Sequence, residues 1–241
     1  WHIECSAMSM KYLGEHFDIH AGGVDHIPVH HTNEIAQNQG ATGHKTVNFW
    51  LHGEFLNVDE GRMGKSEGNF ITLNTLIDKG FNPLAFRYLA LQTHYRQKLN
   101  FSWASLESAE NALNNLYQEV AMLDDPKTAA TGWDEKFRDA INDDLNMPKA
   151  LGLVWEIVKD SELSSAEKKF LLLQFDQILG LGLEKVKKEK IPADITKLAE
   201  ERKKARDKKD WGASDRLRDE IEKAGYLVED TQDDFIIKKK K

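Results

Sequence analysis

The chain has 241 residues, of which 40% are hydrophobic and 30% are charged, and its formal net charge is −7. A chain of this length and composition can bury a substantial core, as one large domain or as two to three small ones. No apolar run approaches the roughly 18 residues that a membrane helix needs, and neither a secretory signal nor a transit peptide opens the sequence. These features exclude a disordered tail, argue against membrane-spanning helices and indicate a cytoplasmic protein.

Cys5 is the single cysteine of the chain, so an internal disulfide is excluded. It is therefore a metal ligand, a nucleophile or a small buried side chain. The sequence opens on "WHIECSAM", without an initiator methionine and already inside a patterned segment. We expect the chain to be the rear part of a longer protein.

The pattern of apolar residues predicts an α/β region first. "HFDIHA" predicts a short strand, "GGVD" a turn, and "PVHHTNEIAQNQ" a helix that tolerates a proline in its first turn. "TVNFWLHGEFLNV" is rich in β-branched and aromatic residues and predicts one strand, which "DEG" ends. "GRMGKSEGN" then predicts a polar loop. The order of strand, loop and helix suits an α/β sheet.

From "FNPLAFRYLALQTHY" onward the periodicity becomes helical, because apolar residues recur at spacings of three and four. The predicted helical segments of this bundle are "SWASLESAENALNNLYQEVAML", "KFRDAINDDL", "PKALGLVWEIVKD" and "SSAEKKFLLLQFDQILGL". The tail predicts a long helix over 194–210, a second helix over about 213–224 and a strand pair across 226–239.

The charge is unevenly distributed along the chain. Residues 1–183 contain 15 basic and 25 acidic side chains, whereas residues 184–241 contain 18 basic and 15 acidic ones, a net charge of +3. The change at "LGLGLEKVKKEKIPAD" predicts a linker and a separate C-terminal unit. A basic tail can bind nucleic acid, and it can also be a set of solvated Lys and Glu helix faces. Composition alone leaves both interpretations open.

A candidate metal site lies in the first predicted helix. His30 and Glu34 are four residues apart and project from one face, with His31 on a neighbouring face. An imidazole and a carboxylate in this arrangement make a partial zinc site, which needs two more ligands. We expect Cys5 to be the third, because "ECSAMSMKYLG" begins a helix and a helix N-terminus lowers the pKa of a thiol. Spare imidazoles such as those of His20 and His31 would orient the ligands.

The same spacing of a histidine and a glutamate also occurs by chance on many surface helices. The density of histidines favours the metal, since seven of them fall within the first 44 residues. Zinc is thus one interpretation of this segment and an ordinary helix face is the other.

Two glycine-containing segments are candidates for nucleotide contacts. In "GRMGKSEGNF", the cations of Arg62 and Lys65 would offset the charge that develops when pyrophosphate leaves. In "HAGGVD", glycines at a strand end would allow a nucleotide to approach, and Asp25 would bind a ribose hydroxyl or an amine. Each pattern by itself is also typical of an exposed loop or a tight turn.

Taken in order, "WHIECSAM", "FDIHAGGVD", "HHTNEIAQ" and "RMGKSEGNF" resemble cysteinyl-tRNA synthetase, a class I aminoacyl-tRNA synthetase. The resemblance continues through "INDDLNMPKAL" and "ARDKKDWGASDRLRDEIEKAGYLVED", and so spans essentially the whole chain. The loop motif of the family is Lys-Met-Ser-Lys-Ser; here Arg62 replaces the first lysine and Gly64 the middle serine. Lys65 matches the family's phosphate-contacting lysine, and we expect Gly64 to make the loop more mobile.

The resemblance implies a set of ligands and a pocket. The zinc ligands of the family fall on Cys5, His30 and Glu34, and the fourth ligand, a cysteine, belongs to the N-terminal half of the catalytic domain, as does the family's His-Ile-Gly-His motif. The other matched positions contact the substrates. They are Trp1 and Asp25 at the amino-acid and adenylate pocket, Gly22 and Gly23 at the adenosine-facing turn, and Lys65 and Ser66 at the phosphates.

The implied fold is α/β followed by mainly α. Its domains are the later half of a Rossmann-like catalytic domain at 1–57, the motif loop and stem-contact region at 58–101, a helical bundle at 102–183, and a small α+β anticodon-binding domain at 184–241. In the last domain, Lys209 and Arg216 would neutralise tRNA phosphates while Trp211 stacks on a base. From its sequence context alone, Trp211 could equally belong to the core of a small helical unit.

A member of this family activates L-cysteine with ATP and Mg²⁺ to cysteinyl-adenylate and transfers cysteine to tRNA(Cys). One zinc ion per chain would select the thiolate of cysteine over the hydroxyl of serine, and Lys65 and Arg62 would stabilise charge on the phosphates. We expect a monomer. Two alternatives are a cysteine ligase that acts on an amino sugar, and a tRNA-binding chain that is inactive because half of its site is missing. The amino-sugar ligases lack an anticodon domain, so the tail favours tRNA.

Overall fold

The computed structural model describes residues 1–58, 61–62, 71–128, 132–187, 192–230 and 235–239. The chain divides into two compact units, Trp1–Val186 and Lys187–Lys241. The domain boundary predicted between residues 183 and 184 lies three residues before this division. Among the described residues, no helix has the length and apolarity that crossing a membrane requires.

The N-terminal part is a helix followed by a β–α–β arrangement. Its elements are α1 (His2–Leu13), β1 (Phe17–Gly23), a 3-10 turn (Val24–His26), one π-helical turn (Ile27–His31), α2 (Thr32–Thr42) and β2 (Val47–Gly53). Strands β1 and β2 are parallel, with Phe17 opposite Val47 and Gly23 opposite Gly53. Their carboxyl ends therefore lie at one edge, where the chain also turns into α2, and this is the edge at which open α/β sheets place their ligands.

Two predictions for this region are wrong. The glycines at 22–23, predicted as part of a turn, are the last residues of β1. The segment 46–58, predicted as one strand, is two strands, because the chain leaves the first sheet after β2 and begins β3 (Leu56–Val58). Between them, Glu54 N donates to the carbonyl of Tyr95 at 2.8 Å, which turns the backbone away from β1. A run of residues with uniform strand propensity does not reveal such a change of partner.

Strand β3 is the centre of a second sheet, with the order β4–β3–β5. Its neighbours are β4 (Gly61–Arg62), which is antiparallel to it, and β5 (Leu99–Phe101), which is parallel. The predicted polar loop therefore begins with a two-residue strand.

A helical bundle follows and confirms the class of fold that the periodicity predicts. Its helices are α3 (Leu73–Asp78), α4 (Pro83–Leu91), α5 (Trp103–Met122), α6 (Trp133–Asn142), α7 (Met147–Lys159) and α8 (Ser165–Leu179). Thr72, Ser102 and Ser164 form capping boxes that fix where α3, α5 and α8 begin. One apolar core joins these helices, and its centre includes the stacked rings of Phe137 and Phe175, 3.9 Å apart.

The C-terminal unit contains α9 (Ala193–Asp207), α10 (Trp211–Lys223) and the antiparallel strands β6 (Tyr226–Asp230) and β7 (Phe235–Lys239). Its core consists of Ile195, Ala199, Ile221, Val228 and Ile237. The first helix is shorter than predicted, because Lys209 adopts φ 61° and turns the chain. The second helix starts earlier than predicted, because the side chain of Asp210 accepts from Ala213 N at 3.0 Å and caps it.

Candidate functional site

A buried polar cluster lies where β1 and β2 end and α2 begins. Four side chains of the π-helical turn and of α2 are buried there: His30, His31, Glu34 and Asn38. Glu34 and Asn38 are 0% exposed. Such side chains are mostly exposed in proteins unless they are partnered, so their burial at a strand edge marks a candidate binding site.

Helix α1 places a thiol against this cluster. It packs on α2, and Ser6 Oγ donates to Gln37 Oε1 at 3.1 Å between the two helices. The ligand atoms of Cys5, His30 and Glu34 all lie within 4.8 Å of one another. These are three donors of the types that hold zinc.

The buried carboxylate of Glu34 lacks a hydrogen-bond donor among the described residues. Its oxygens are 2.6 Å from His30 Nε2 and 3.5 Å from His20 Nε2, yet neither oxygen has a hydrogen-bond partner in the part of the chain that the structure describes. Burial raises the pKa of Glu34 and is the main reason that the pKa of His30 is lowered. An imidazole nitrogen and a carboxylate oxygen that lie this close without a hydrogen bond between them are suited to bind one cation. The cation would supply the charge that a buried carboxylate needs.

The expected lowering of the thiol pKa at Cys5 is wrong for this arrangement. Burial raises the pKa of Cys5, and the carboxylates of Glu34 and Glu4 raise it further. Helix α1 begins at His2, so Cys5 is its fourth residue, at the end of the first turn, where the effect of the helix N-terminus fades. A divalent cation at the cluster would reverse this effect, because a metal-bound thiol is deprotonated.

A second layer of rings surrounds the donors. His31 Nδ1 lies 2.8 Å from His52 Nε2, and the ring of His20 stacks on Trp50 with centroids 4.6 Å apart. The pKa of His31 is lowered to about 4, first by burial and then by the neighbouring histidines, of which His20 has the largest effect. His31 is therefore neutral at pH 7, so one hydrogen bond joins His31 Nδ1 and His52 Nε2, and the tautomers of the two rings decide which nitrogen donates.

Sequence reasoning missed His52 and Trp50. Both lie on β2, where His20 is opposite Trp50 and Gly22 is opposite His52. The signal that could have found them is the rule that functional side chains follow the carboxyl ends of parallel strands. The rule could not be applied, because the segment was predicted as one longer strand and the carboxyl end of β2 at residue 53 was not recognised.

Trp1 and the glycines border the same cluster. The indole of Trp1 is 70% exposed, and its ring centroid lies 4.4 Å from that of His30. A Cβ atom at Gly22 would lie 2.6 Å from His31 Cε1, and one at Gly23 would lie 2.3 Å from the carboxylate of Asp25. A larger residue at Gly22 would displace the ring of His31, and one at Gly23 would displace the carboxylate of Asp25.

Most of the predicted phosphate-contacting residues lie outside the part of the chain that the structure describes. Gly64, Lys65 and Ser66 lie outside the described residues, and only the backbone of Arg62 is described. The loop interpretation therefore stays a prediction.

The predicted tRNA-contacting residues are on the surface of the C-terminal unit. Lys209, Trp211 and Arg216 are all exposed, and Trp211 is 58% exposed. The guanidinium of Arg206 lies 5.9 Å from the centre of the indole of Trp211. This contradicts the interpretation of Trp211 as a core residue of a small helical unit. An exposed ring beside cations is the arrangement that single-stranded nucleic acids stack on.

Three family models match the chain. The class I tRNA synthetase (C) catalytic domain matches residues 1–111, the DALR domain matches 136–184, and the cysteinyl-tRNA ligase anticodon binding domain matches 188–235. A cysteine–tRNA ligase 1 of Burkholderia lata is 46% identical over 96% of this chain and 50% of its own length. A cysteine–tRNA ligase of Treponema denticola is 41% identical over 95% of this chain and 54% of its own length. The chain thus spans about half the length of these curated relatives.

Among solved structures, a ternary complex of LeuRS with tRNA and LeuAMS from Agrobacterium radiobacter is similar, with a TM-score of 0.49 and 16% sequence identity. The likeness covers 70% of this chain and 26% of that one.

Proposed function

The chain belongs to the cysteinyl-tRNA synthetase family, and on that premise we propose that it is the part of a cysteine–tRNA ligase that holds the zinc-ligand helix, the bundle and the anticodon-binding domain. The whole protein would activate L-cysteine with ATP and Mg²⁺ and transfer it to tRNA(Cys). The observation that carries the proposal is the buried Glu34 carboxylate, which lies beside Cys5 and His30 and has no hydrogen-bond donor among the described residues. The proposal implies the cytoplasm, where translation takes place, and a monomer.

Cys5, His30 and Glu34 would hold one zinc ion, with a cysteine of the N-terminal half of the catalytic domain as the fourth ligand. When bound, zinc would supply a site that prefers the soft thiolate of cysteine to the hard hydroxyl of serine. An apolar pocket separates such near-isosteres by only about 10- to 200-fold. A metal-based choice would therefore make a separate editing step unnecessary.

The surrounding side chains would keep these donors in place. His20 lies beside the Glu34 carboxylate at 3.5 Å, and His31 is fixed by its contact with His52. Partners of this kind set the tautomer and orientation of ligands. Trp1 lies against His30 and would form one wall of the amino-acid pocket.

The adenylate would bind at the ends of the strands. Gly22 and Gly23 end β1 at this edge, and Asp25 would bind the amine of cysteine or a ribose hydroxyl. Lys65 and Arg62, with Ser66 beside them, would stabilise the charge on the phosphates, with Mg²⁺ sharing that task. The proposal assigns no covalent nucleophile, so positioning and electrostatics would provide most of the rate.

The C-terminal unit would bind tRNA through the exposed Lys209, Trp211 and Arg216. The match of residues 188–235 to an anticodon binding domain favours tRNA over an amino sugar as the acceptor. The chain on its own spans about half of its relatives. For that reason we propose that, in isolation, it binds tRNA without charging it.

The test is zinc content and charging of tRNA(Cys), measured together in the full-length protein. We expect about one zinc per chain, and we expect Cys5→Ala to lose both the zinc and the charging. The matched control is Met8→Ala, on the same helix and 52% exposed, which should keep both. Zinc content that is unchanged by Cys5→Ala would remove Cys5 from the site. Normal zinc content together with cysteine-dependent pyrophosphate exchange and no charging would favour the amino-sugar ligase.

A further inference from the structure

An exposed carboxylate connects the bundle to the segment that runs beside the end of β2. Asp144, in the turn between α6 and α7, accepts three hydrogen bonds from two consecutive residues. Tyr95 Oη donates to Asp144 Oδ1 at 2.7 Å, Arg96 Nε donates to Oδ2 at 2.5 Å, and Arg96 Nη2 donates to Oδ1 at 3.2 Å. We call these three side chains the Asp144 clamp.

The backbone on the bundle side of the clamp is strained. Asp144 and Leu145 adopt φ 51° and 55°, the left-handed region that non-glycine residues seldom occupy. Backbone hydrogen bonds hold this turn, with Leu145 N donating to Ile141 O at 3.0 Å and Asn146 N to Ala140 O at 3.1 Å. The side chains of Arg96 and Asp144 are 57% and 48% exposed, and an exposed ion pair stabilises a fold only slightly. The turn is therefore held in one conformation, which fixes the Asp144 carboxylate where it meets Tyr95 and Arg96.

The other end of the clamp reaches the candidate site. The segment that carries Tyr95 and Arg96 runs alongside the two residues that follow β2. Glu54 N donates to Tyr95 O at 2.8 Å, and Leu99 N donates to Phe55 O at 3.1 Å. Glu54 is two residues after His52, whose ring contacts His31 at 2.8 Å. A chain of direct contacts therefore leads from the bundle to the histidines around the donors.

We propose that Asp144 is a positioning residue for cysteine activation, which it serves by holding Tyr95 and Arg96 so that the end of β2 keeps His52 against His31. This rests on the proposed function, because it assigns the clamp to the activation step. The clamp connects the bundle segment, which the DALR domain matches, to the residues that follow β2 beside the site. The bundle would then take part in positioning the activation site.

The variant that isolates the carboxylate is Asp144→Asn. Asparagine tolerates the left-handed backbone as well as aspartate does, so the turn should persist while the charge is removed. The matched control is Asp143→Asn, at the adjacent exposed carboxylate, which accepts from Asn146 Nδ2 at 3.1 Å and lies outside the clamp. Both variants are made in the full-length protein, and their thermal midpoints are compared with that of the wild type.

Two measurements are made. The first is hydrogen exchange of the Glu54 amide, which reports the hydrogen bond to Tyr95 and does not depend on any activity. The second is cysteine-dependent ATP–pyrophosphate exchange, analysed separately for kcat and KM. For Asp144→Asn we expect faster exchange at Glu54 and a kcat lower by about tenfold with a smaller change in KM, because a displaced strand end misplaces groups that act in the transition state. Arg96→Lys should have an intermediate effect, since it keeps the charge and loses the paired hydrogen bonds.

Equal Glu54 protection in the Asp144→Asn and Asp143→Asn variants would overturn the proposal, whatever the activity. Faster exchange at Glu54 with an unchanged kcat would overturn the link to activation. If the wild-type protein shows no cysteine-dependent ATP–pyrophosphate exchange, the proposed function fails, and the clamp is then judged by the hydrogen exchange of the Glu54 amide alone.

Discussion

The first 58 residues and the helical bundle bury opposite kinds of side chain. In residues 1–58, six of the buried side chains are polar and two, Val47 and Val58, are hydrophobic. In the described part of 71–187, the buried side chains are apolar except for Asp176. Each oxygen of the Asp176 carboxylate accepts a hydrogen bond at the end of α8, from Leu181 N at 2.6 Å and from Leu183 N at 2.8 Å.

The difference shows which region is built for stability and which for chemistry. An apolar core stabilises the bundle in proportion to the area that it removes from water. A buried polar cluster does not, because each group must recover the hydrogen bonds that it loses to burial. Glu34 and Asn38 have not recovered theirs within the described residues. We infer that the bundle provides the free energy of unfolding that the site region lacks.

The largest effect should come from the bundle core. Leu172 is 0% exposed in α8, and Leu172→Ala should lower the free energy of unfolding by about 3 kcal/mol, through lost burial and a cavity. The control is Ile178→Ala in the same helix, which is 49% exposed and should change it by less than about 0.5 kcal/mol. Urea unfolding of the 241-residue chain measures both. Similar values for the two variants would show that the core is not what holds this region together.

The C-terminal unit contains a buried charge that has a charged partner, and removing that partner should lower the free energy of unfolding. In the C-terminal unit, Arg202 is 3% exposed and donates to both oxygens of Asp230 at 2.7 and 3.0 Å. Asp230→Asn should cost about 2 kcal/mol, because it leaves a buried guanidinium with a weaker acceptor. Asp219→Asn, at an exposed position of α10, is the control and should have little effect.

This pair also predicts a dependence on pH. The hydrogen bonds from Arg202, together with the charges of Arg202, Arg206 and Arg218, lower the pKa of Asp230 in the folded state. The unfolded chain then binds more protons, so stability rises with pH. The contribution is present above the unfolded pKa of about 3.9 and is lost as the pH falls towards the lower folded value. We therefore expect the free energy of unfolding of the C-terminal unit, measured as the pH is lowered, to change less in Asp230→Asn than in the wild type. Identical curves would exclude the Asp230 carboxylate as the source of the pH dependence.

Local patterns predicted the elements of the fold well, and they predicted contacts well where these are local. His30 and Glu34 lie together because four residues on a helix form one turn. Cys5 was expected beside them as the single cysteine, at the start of a predicted helix, and the family resemblance implied the same; the packing of α1 on α2 brings it there. The class of fold followed from the change in periodicity after residue 80.

Contacts that depend on register and packing could not be predicted. The contact of His52 with His31 requires knowledge of which strand β2 pairs with, and the sequence did not show that β2 ends at residue 53. The pKa of Cys5 depends first on the burial of its own thiol and then on the charge of Glu34 beside it, and both are properties of the packed site. The exposure of Trp211 depends on its position as the first residue of α10, where the apolar pattern is too short to assign a face.

The smallest effect, and the one of opposite sign, should come from the site itself. Glu34→Gln replaces a buried carboxylate, which has no hydrogen-bond donor among the described residues, by a neutral amide of nearly the same size and shape. The metal-free chain should therefore become more stable by about 1 kcal/mol, since a buried unpaired charge is removed. Zinc affinity of the full-length protein should fall at the same time, by more than the roughly tenfold that the loss of a residue supporting a ligand costs, because Glu34 is itself a proposed ligand. Thermal unfolding in a chelator and zinc titration measure the two. A variant that is less stable without metal would mean that the carboxylate serves the fold; if it is more stable and binds zinc poorly, the site region gives up stability in order to hold a cation.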